Sequence, residues 1–484
     1  MKAIMPVLDE SRKKPYYLQL YDYIKDAILK GEITEGEKLP SLRSLAKSTG
    51  LSLTTVEQCY NQLLVEGYIY SRAQSGYYVS AVFSHSKKTV PSNQEIFSPE
   101  VSDLENAMAS APPAYYYDPD CFNFNKWKKC MNKVLTEFSS ALFFESDPQG
   151  EAGLRAEIAK YLYISRGVEC KPEQILIGAG TQQITNHLAT ILRKLDIEHV
   201  ALEDPGYQPV RNIFRDRGFA ITPVKVAEDG ILIERLPANI RSAVYVSPSN
   251  HAFTGAVMPI GRRYELINWA LENDSYIIED DYDSELRYFG RPIPALKSLE
   301  GNERVIYLGS FSTTLFAAVK ISYMVLPVKM AQLFSSIAGD YAQTCSKLEQ
   351  LSLAMFMETG DYQTHIKKLR KLYSQKLNMA VDTFWEAGAD FIEVKNTSSG
   401  INILLKVRSQ KGGQQLAKDA ATLGIPVVLL EAGLESIPGE SGPIANVSAA
   451  PSKEAGLLIL YYNQIPLAEL SSVLRELIRI WRGR

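Results

Sequence analysis

Four clusters of residues in this chain have the types and spacing for chemistry. The run ILIGAGTQQ sets Gly178, Gly180, Thr181 and Gln182 where an apolar strand pattern gives way to a helical one. Free N–H groups at a helix start, with the helix dipole behind them, suit a phosphate. The run SYIIEDDYDSELRY ends an apolar strand on Asp280, and Tyr282 follows two residues on, on the same side of the chain. The carboxyl end of such a strand is where open α/β sheets hold ligands. EDPGY offers Tyr207 as a flat group to stack on a ring, and YLGSFSTTLFAAVKISYMV offers Ser310, Ser312 and Lys320 near the phosphate. A phosphate cup, an acid for a ring nitrogen and a stacking ring are the needs of a pyridoxal phosphate (PLP) site, with Tyr282 in reach of the ring's 3-oxygen. An enzyme using PLP also needs a lysine that bonds to it. Alone, each residue reads as a packing glycine or a capped turn; their order and combination carry the argument.

Such residues need an open sheet to hold them. From about residue 114 onward the short apolar runs ILIGAG, HVALED, SAVYVSP, SYIIEDD and RVIYLGS alternate with helical segments. This predicts an α/β body with a mostly parallel sheet of the seven-stranded type and helices on both faces. A long helical stretch from about 335 leads into a smaller α+β region, dividing the body into a large part, 114–335, and a small part, about 336–484. Residues 81–113 are polar, rich in Pro and Ser and poorly periodic, and read as a linker.

Residues 1–80 predict a separate head. Tyr17 to Leu29 has helical apolar spacing. Ser41 caps a short helix that Gly50 breaks, and Ser52 caps the next, LTTVEQCYNQLLVEGYI. Two helices across a tight glycine turn form a helix-turn-helix, and IYSRAQSGYYVS adds two strands as a wing. The second helix would enter a major groove, with Thr54, Thr55 and Gln58 exposed toward base edges or phosphates. Arg72, Gln74 and Gly76 would sit at the wing tip.

Composition limits the alternatives. A chain of 484 residues exceeds one core, so two or three domains are expected. Net charge is −3, and residues 1–80 carry ten Lys/Arg against nine Asp/Glu, a net of +1. Contact with DNA must therefore be local, and phosphate attraction modest per subunit. Five cysteines (Cys59, Cys121, Cys130, Cys170 and Cys345) form no C-x-x-C pair, and five histidines show no metal spacing, so no metal is expected. His251, in the loop Pro248 to Gly255, reads first as a surface histidine, with contact to a ligand as the alternative. No signal region and no apolar run near the ~20 residues of a bilayer span are present, which points to the cytoplasm and no membrane.

LPSLRSLAKSTGLSLTTV and LLVEGYIYSRAQSGYYV resemble the winged helix-turn-helix of GntR-type regulators over about residues 12–80. The resemblance implies DNA contacts from Arg43, Thr54, Thr55 and Gly76, although Leu53 and Glu57 stand where many or some relatives carry basic residues. SDPQGEAGLRAEIAKYLYISRGVEC, EDPGYQPVR, EDDYDSELRY, SKLEQLSLAMFME and HIKKLRKLYSQK resemble fold-type I PLP enzymes, specifically the MocR subfamily of GntR regulators. That implies a homodimer whose two heads read two half-sites of a double-stranded operator, and a body that takes a small-molecule effector.

The departures bear on chemistry. The family writes its Schiff-base lysine as S-F-S-K-T-L; here Ser310 to Leu315 reads SFSTTL, with Thr313 at the lysine position. Threonine has no amine to form an imine. Lys320, seven residues on, stands where the family has a phosphate-binding arginine, and points elsewhere than the missing lysine. Ala317 and Ala318 replace a Pro-Gly. The loop P-S-H-Q-aromatic-P-T-G is PSNHAFTG here, from Pro248 to Gly255, and Ala252 removes a bulky group. No arginine lies between Arg408 and Arg475, where the family takes a substrate carboxylate. The expectation is a DNA-binding transcriptional regulator that senses PLP, a PLP–amino acid adduct or another amino-acid-like effector through a catalytically disabled body, with any PLP held noncovalently. Its rivals are a working PLP aminotransferase with a DNA-binding appendage, and a body that has abandoned PLP and serves as a dimerisation scaffold.

Overall fold

The computed structural model describes residues 14–80 and 118–483, apart from 289–292, 300, 302, 398 and 431–456. The linker expected over 81–113 lies outside the described residues. The chain divides into two compact units, 1–109 and 110–484.

In the first unit, helices α1 (Tyr16–Leu29), α2 (Leu42–Thr49) and α3 (Leu53–Val65) precede a hairpin of strands β1 (Ile69–Arg72) and β2 (Gly76–Val79). The Ser41 hydroxyl accepts from the Ser44 N–H at 3.2 Å, and the Ser52 hydroxyl from the Thr55 N–H at 3.1 Å. Each satisfies one of the N–H groups that a helix start leaves without a partner. Gly50 ends α2 with φ 72°, a left-handed conformation that glycine adopts without a Cβ penalty. Leu20 and Ile24 of α1, Leu45 of α2, and Val56, Cys59 and Leu63 of α3 share one core with Ile69 and Val79 of the hairpin.

The second unit is built on one large sheet. Its strands are β3 (Ile175–Ala179), β4 (His199–Asp204), β5 (Ala220–Ala227), β6 (Gly230–Ile231), β7 (Ser242–Val246), β8 (Tyr276–Asp280), β9 (Val305–Ser310) and β10 (Ile321–Val325). Their order is β3-β10-β9-β8-β7-β4-β5-β6. The central run β9-β8-β7-β4-β5 is parallel, β10 runs antiparallel to both β9 and β3, and β6 is a two-residue addition to the edge. The apolar runs are continuous because both faces are covered. Ile175, Ile177, Tyr307 and Tyr323 pack on one face, and Leu176, Leu308 and Met324 on the other.

A second, antiparallel sheet carries β11 (Ile392–Lys395), β12 (Ile403–Val407), β13 (Val427–Leu430) and β14 (Leu457–Leu460) in the order β11-β12-β14-β13. It packs with the helices Asp361–Gly388, Gly413–Thr422 and Leu467–Arg482 around a core that includes Phe384, Leu474 and Trp481. Helix Lys347–Glu358 follows the expected division at 335, yet it packs in the core of the large part. Leu353 and Phe356 there meet Trp127, Leu154 and Ile158. Among the described residues no helix is long and apolar enough to cross a membrane.

Candidate functional site

The head brings its candidate residues to two surface features. Arg43, Thr54, Gln58, Arg72 and Gln74 are exposed. Thr55 is not the free side chain expected. It is half-buried, and its hydroxyl lies 2.8 Å from the Ser52 hydroxyl, because the capping turn of α3 closes on it. On the wing, the Arg72 guanidinium lies over Tyr78, 4.8 Å from the ring centroid, and donates to the Tyr70 hydroxyl at 3.0 Å. The turn is completed by Gln74 with φ 59° and Gly76 with φ 112°.

In the body, the carboxyl ends of β4, β7, β8 and β9 open on a cavity of about 560 Å³. Gly180, Thr181, Gln182, Tyr207, Asp280, Tyr282, Ser310, Ser312, Thr313 and Lys320 all line it. Residues that lie up to 140 positions apart in sequence (180 and 320) thus meet in one space. Gly180 precedes the helix Thr181–Lys194 with φ 84°, and the first-turn N–H groups that follow it have no i−4 carbonyl. Gly178 serves packing instead: a Cβ there would lie 2.9 Å from Ile184 Cγ2.

Strand alternation sorts the acidic run of β8. Glu279 and Asp281 turn away from the cavity into fixed structural partners. Glu279 accepts from the N–H groups of Leu296 and Lys297 at 2.8 and 2.9 Å. Asp281 pairs with Arg166 at 2.8 Å and accepts from the Tyr307 hydroxyl at 2.5 Å. Asp280 and Tyr282 face the ligand space. The Tyr245 hydroxyl donates to Asp280, whose carboxyl is pushed by burial up to about 7. Tyr282 donates to the Asn250 carbonyl at 3.1 Å, so its hydroxyl is already engaged. Thr313 donates to the Tyr282 carbonyl at 2.5 Å, which pins its side chain on the cavity wall. Lys320 reaches the same cavity from a left-handed residue with φ 48°.

His251 is the correction. It is 2% exposed rather than on the surface, and it lines the cavity. Burial lowers its pKa to about 4, leaving it neutral. Two further lining residues escaped the sequence reading. Glu203 sits at the inner end of β4, accepts from the Ser247 N–H at 3.0 Å, and is raised by burial to about 8. The only signal for it was its place as the first of two acids that end the apolar run HVALED. Arg211 lies one helical turn beyond Tyr207, with its guanidinium 3.8 Å from Asp204. That i+4 spacing in EDPGYQPVR was legible. Ile401, Asn402 and Tyr461 of the small part complete the wall, with no arginine among them.

Comparison with known proteins follows this division. Residues 16–79 match the model of bacterial regulatory proteins of the gntR family, and residues 114–431 that of aminotransferase class I and II. The chain is 38% identical to an uncharacterized HTH-type transcriptional regulator, YdeL of Bacillus subtilis, covering 88% of this chain and 91% of that protein. It is 30% identical to the probable rhizopine catabolism regulatory protein MocR of Rhizobium meliloti, over 93% of each. It is 31% identical to the pyridoxine biosynthesis regulator PdxR of Corynebacterium glutamicum, over 75% of this chain and 78% of that protein. Among solved structures, an archaeal alanine:glyoxylate aminotransferase superposes with TM-score 0.65 at 19% identity, covering 79% of this chain and 94% of that one. That last likeness speaks for the fold alone.

Proposed function

The chain belongs to the MocR-type regulators, in which a gntR-family head is joined to an aminotransferase class I and II body, and from that premise we propose that it regulates transcription by binding an operator through its head and a small ligand in its body. The observation that carries the ligand reading is the cavity itself. Its lining brings together the residues the sequence offered for PLP, with Thr313 and no lysine at the end of the Ser310-Phe311-Ser312 run, and this supports the reading. Ser310, Ser312, Lys320 and the helix start at Thr181 and Gln182 would make a cup for a phosphate, combining hydroxyls, a cation and the two N–H groups that follow Gly180, whose own N–H donates to the Gly178 carbonyl at 2.8 Å. Asp280 lies where a ring nitrogen would be held protonated, and Tyr207 where a ring would stack. These groups fit PLP as a noncovalent guest.

PLP supplies an aldehyde that captures primary amines. The chain's own residues then bind and orient. Arg211 is the cation available to an anionic group on the ligand, in place of the arginine missing from the small part. Thr313 has no amine, and its hydroxyl is committed to the Tyr282 carbonyl. No side chain at that position can move a proton between ligand atoms, a role worth ~10²–10⁴ in rate where it exists. Binding without turnover follows, which suits a sensor. The test is calorimetric titration of the purified protein with PLP, followed by borohydride. Binding with no pyridoxyl group left on any lysine supports the reading; a pyridoxyl-lysine together with amino transfer to a keto acid overturns it.

The DNA face is read from Arg43, Thr54, Gln58 and the wing. Arg43→Ala is expected to weaken operator binding roughly tenfold. Lys411→Ala, which removes a body lysine paired with Asp419 at 2.7 Å, is expected to leave it unchanged. Equal gel shifts for both variants and wild type would place the DNA face elsewhere.

A further inference from the structure

We propose that His251 is a positioning residue that sets the orientation of Tyr207 and Arg211, and so decides how the cavity grips a ring-bearing ligand; this deepens the ligand reading above and rests on it. The turn after β4 must place both side chains. It is tight: a Cβ on Gly206 would lie 2.1 Å from the Glu203 carbonyl. Tyr207 cannot orient itself, because its phenol has no hydrogen-bond partner among the described residues and its side chain is 46% exposed. Its direction is therefore inherited from the backbone of the turn. On its far side the Tyr207 carbonyl accepts from the Val210 and Arg211 N–H groups at 3.2 and 3.3 Å, and on its near side the turn is tied to the neighbouring loop after β7, where the Pro205 carbonyl accepts from His251 Nε2 at 3.0 Å.

The anchor works because the tautomer is dictated. The Thr254 N–H donates to His251 Nδ1 at 3.1 Å, so Nδ1 carries no proton and Nε2 must carry it. The Thr254 hydroxyl, 2.8 Å from Nδ1, donates to it as well, while accepting from the Ala256 N–H at 3.2 Å. His251 N–H and carbonyl are also used, by Ala256 at 2.9 Å and Gly255 at 2.8 Å. The loop in turn is held by Arg263, fully buried, which donates to the Pro248 and Met258 carbonyls at 2.7 and 3.0 Å. A rigid loop thus presents one N–H to one carbonyl. Glu203, 3.7 Å from Nε2, makes no ion pair with it, since burial keeps both groups neutral.

A glutamine at 251 carries an acceptor and a donor at the ends of one amide and can take both roles. An alanine carries neither and leaves the Pro205 carbonyl without its partner. Hydrogen exchange of the full-length protein, read by mass spectrometry, tests this without any ligand. His251→Ala is expected to speed exchange across residues 206–211 about tenfold, the effect of losing one buried hydrogen bond, and His251→Gln to restore it. Thermal unfolding of each variant shows that the body remains folded. Unchanged exchange at 206–211 in the alanine variant overturns the proposal, as does a glutamine variant that is folded yet equally loosened. PLP titration separates the two readings. The alanine variant should lose about tenfold in affinity and the glutamine variant little. If wild type takes up no PLP while exchange behaves as stated, the PLP reading falls and the positioning role stands.

Discussion

On the proposed reading, one side chain decides whether this cavity reacts with PLP or only binds it. Thr313 stands on the cavity wall beside Ser312, held by the Tyr282 carbonyl, with Asp280 across the same space. If the rest of the site is intact, Thr313→Lys should attach PLP covalently and show a new visible absorption band; a colourless variant points to a site that has abandoned the cofactor. Asp280 permits a second test. Its carboxyl is raised to about 7 from an ordinary 3.8, so the folded chain holds a proton that the unfolded chain has lost across that interval. The neutral carboxyl's full contribution to stability is present below about pH 4 and fades as pH rises toward 7. Asp280→Asn removes this dependence. Its melting temperature should match wild type near pH 4 and exceed it at pH 8, while its affinity for PLP falls because an amide cannot hold a ring nitrogen protonated. A constant offset across pH would show that Asp280 is not the buried acid described.

At the scale of elements, helix starts do the work in both units. The Thr181–Lys194 helix presents its first-turn N–H groups to the cavity, and α3 presents its first turn to solvent. The α3 start depends on Ser52. Ser52→Ala strands the Thr55 N–H and frees the Thr55 hydroxyl, at a cost of about 1 kcal/mol to the head. Faster exchange in α3 and weaker DNA binding are expected, with Ser52→Thr close to wild type. Indifference of both readouts to the alanine would mean that α3 is held by its core contacts from Val56, Cys59 and Leu63 rather than by its cap.

The whole molecule leaves an apolar surface to be covered. Phe143 is 89% exposed and Phe144 72%, with Phe138 and Leu135 also exposed nearby in sequence. We propose that these aromatics form an interaction surface whose occupant is a second copy of the chain, which would supply the second head that paired half-sites require. Sedimentation should show a dimer. Replacing Phe143 and Phe144 together by Glu should yield monomers with weaker operator binding, since coupled heads gain affinity from their linkage. A monomeric wild type would remove this part of the reading.

The sequence by itself marked the head's helices and wing and five strands of the large sheet, in their order along the chain. Period and capping residues act locally, so Ser41, Gly50 and Ser52 marked the head's helices, and buried apolar runs marked β3, β4, β7, β8 and β9. It also named ten residues of one cavity, because strand ends and helix starts must meet along one edge of an open sheet. Tertiary structure alone decided the rest. Whether Glu203 and His251 face solvent or the cavity depends on the packing of β4 beside β7, strands that lie 38 positions apart from end to start (Asp204 to Ser242). The same holds for helix Lys347–Glu358, whose apolar side is equally suited to either part until Trp127 and Leu154 are brought against it. Local rules fix what a segment becomes, and even the tautomer of His251 through Thr254; burial, and with it the charge of a carboxyl or an imidazole, is set by segments distant in the chain.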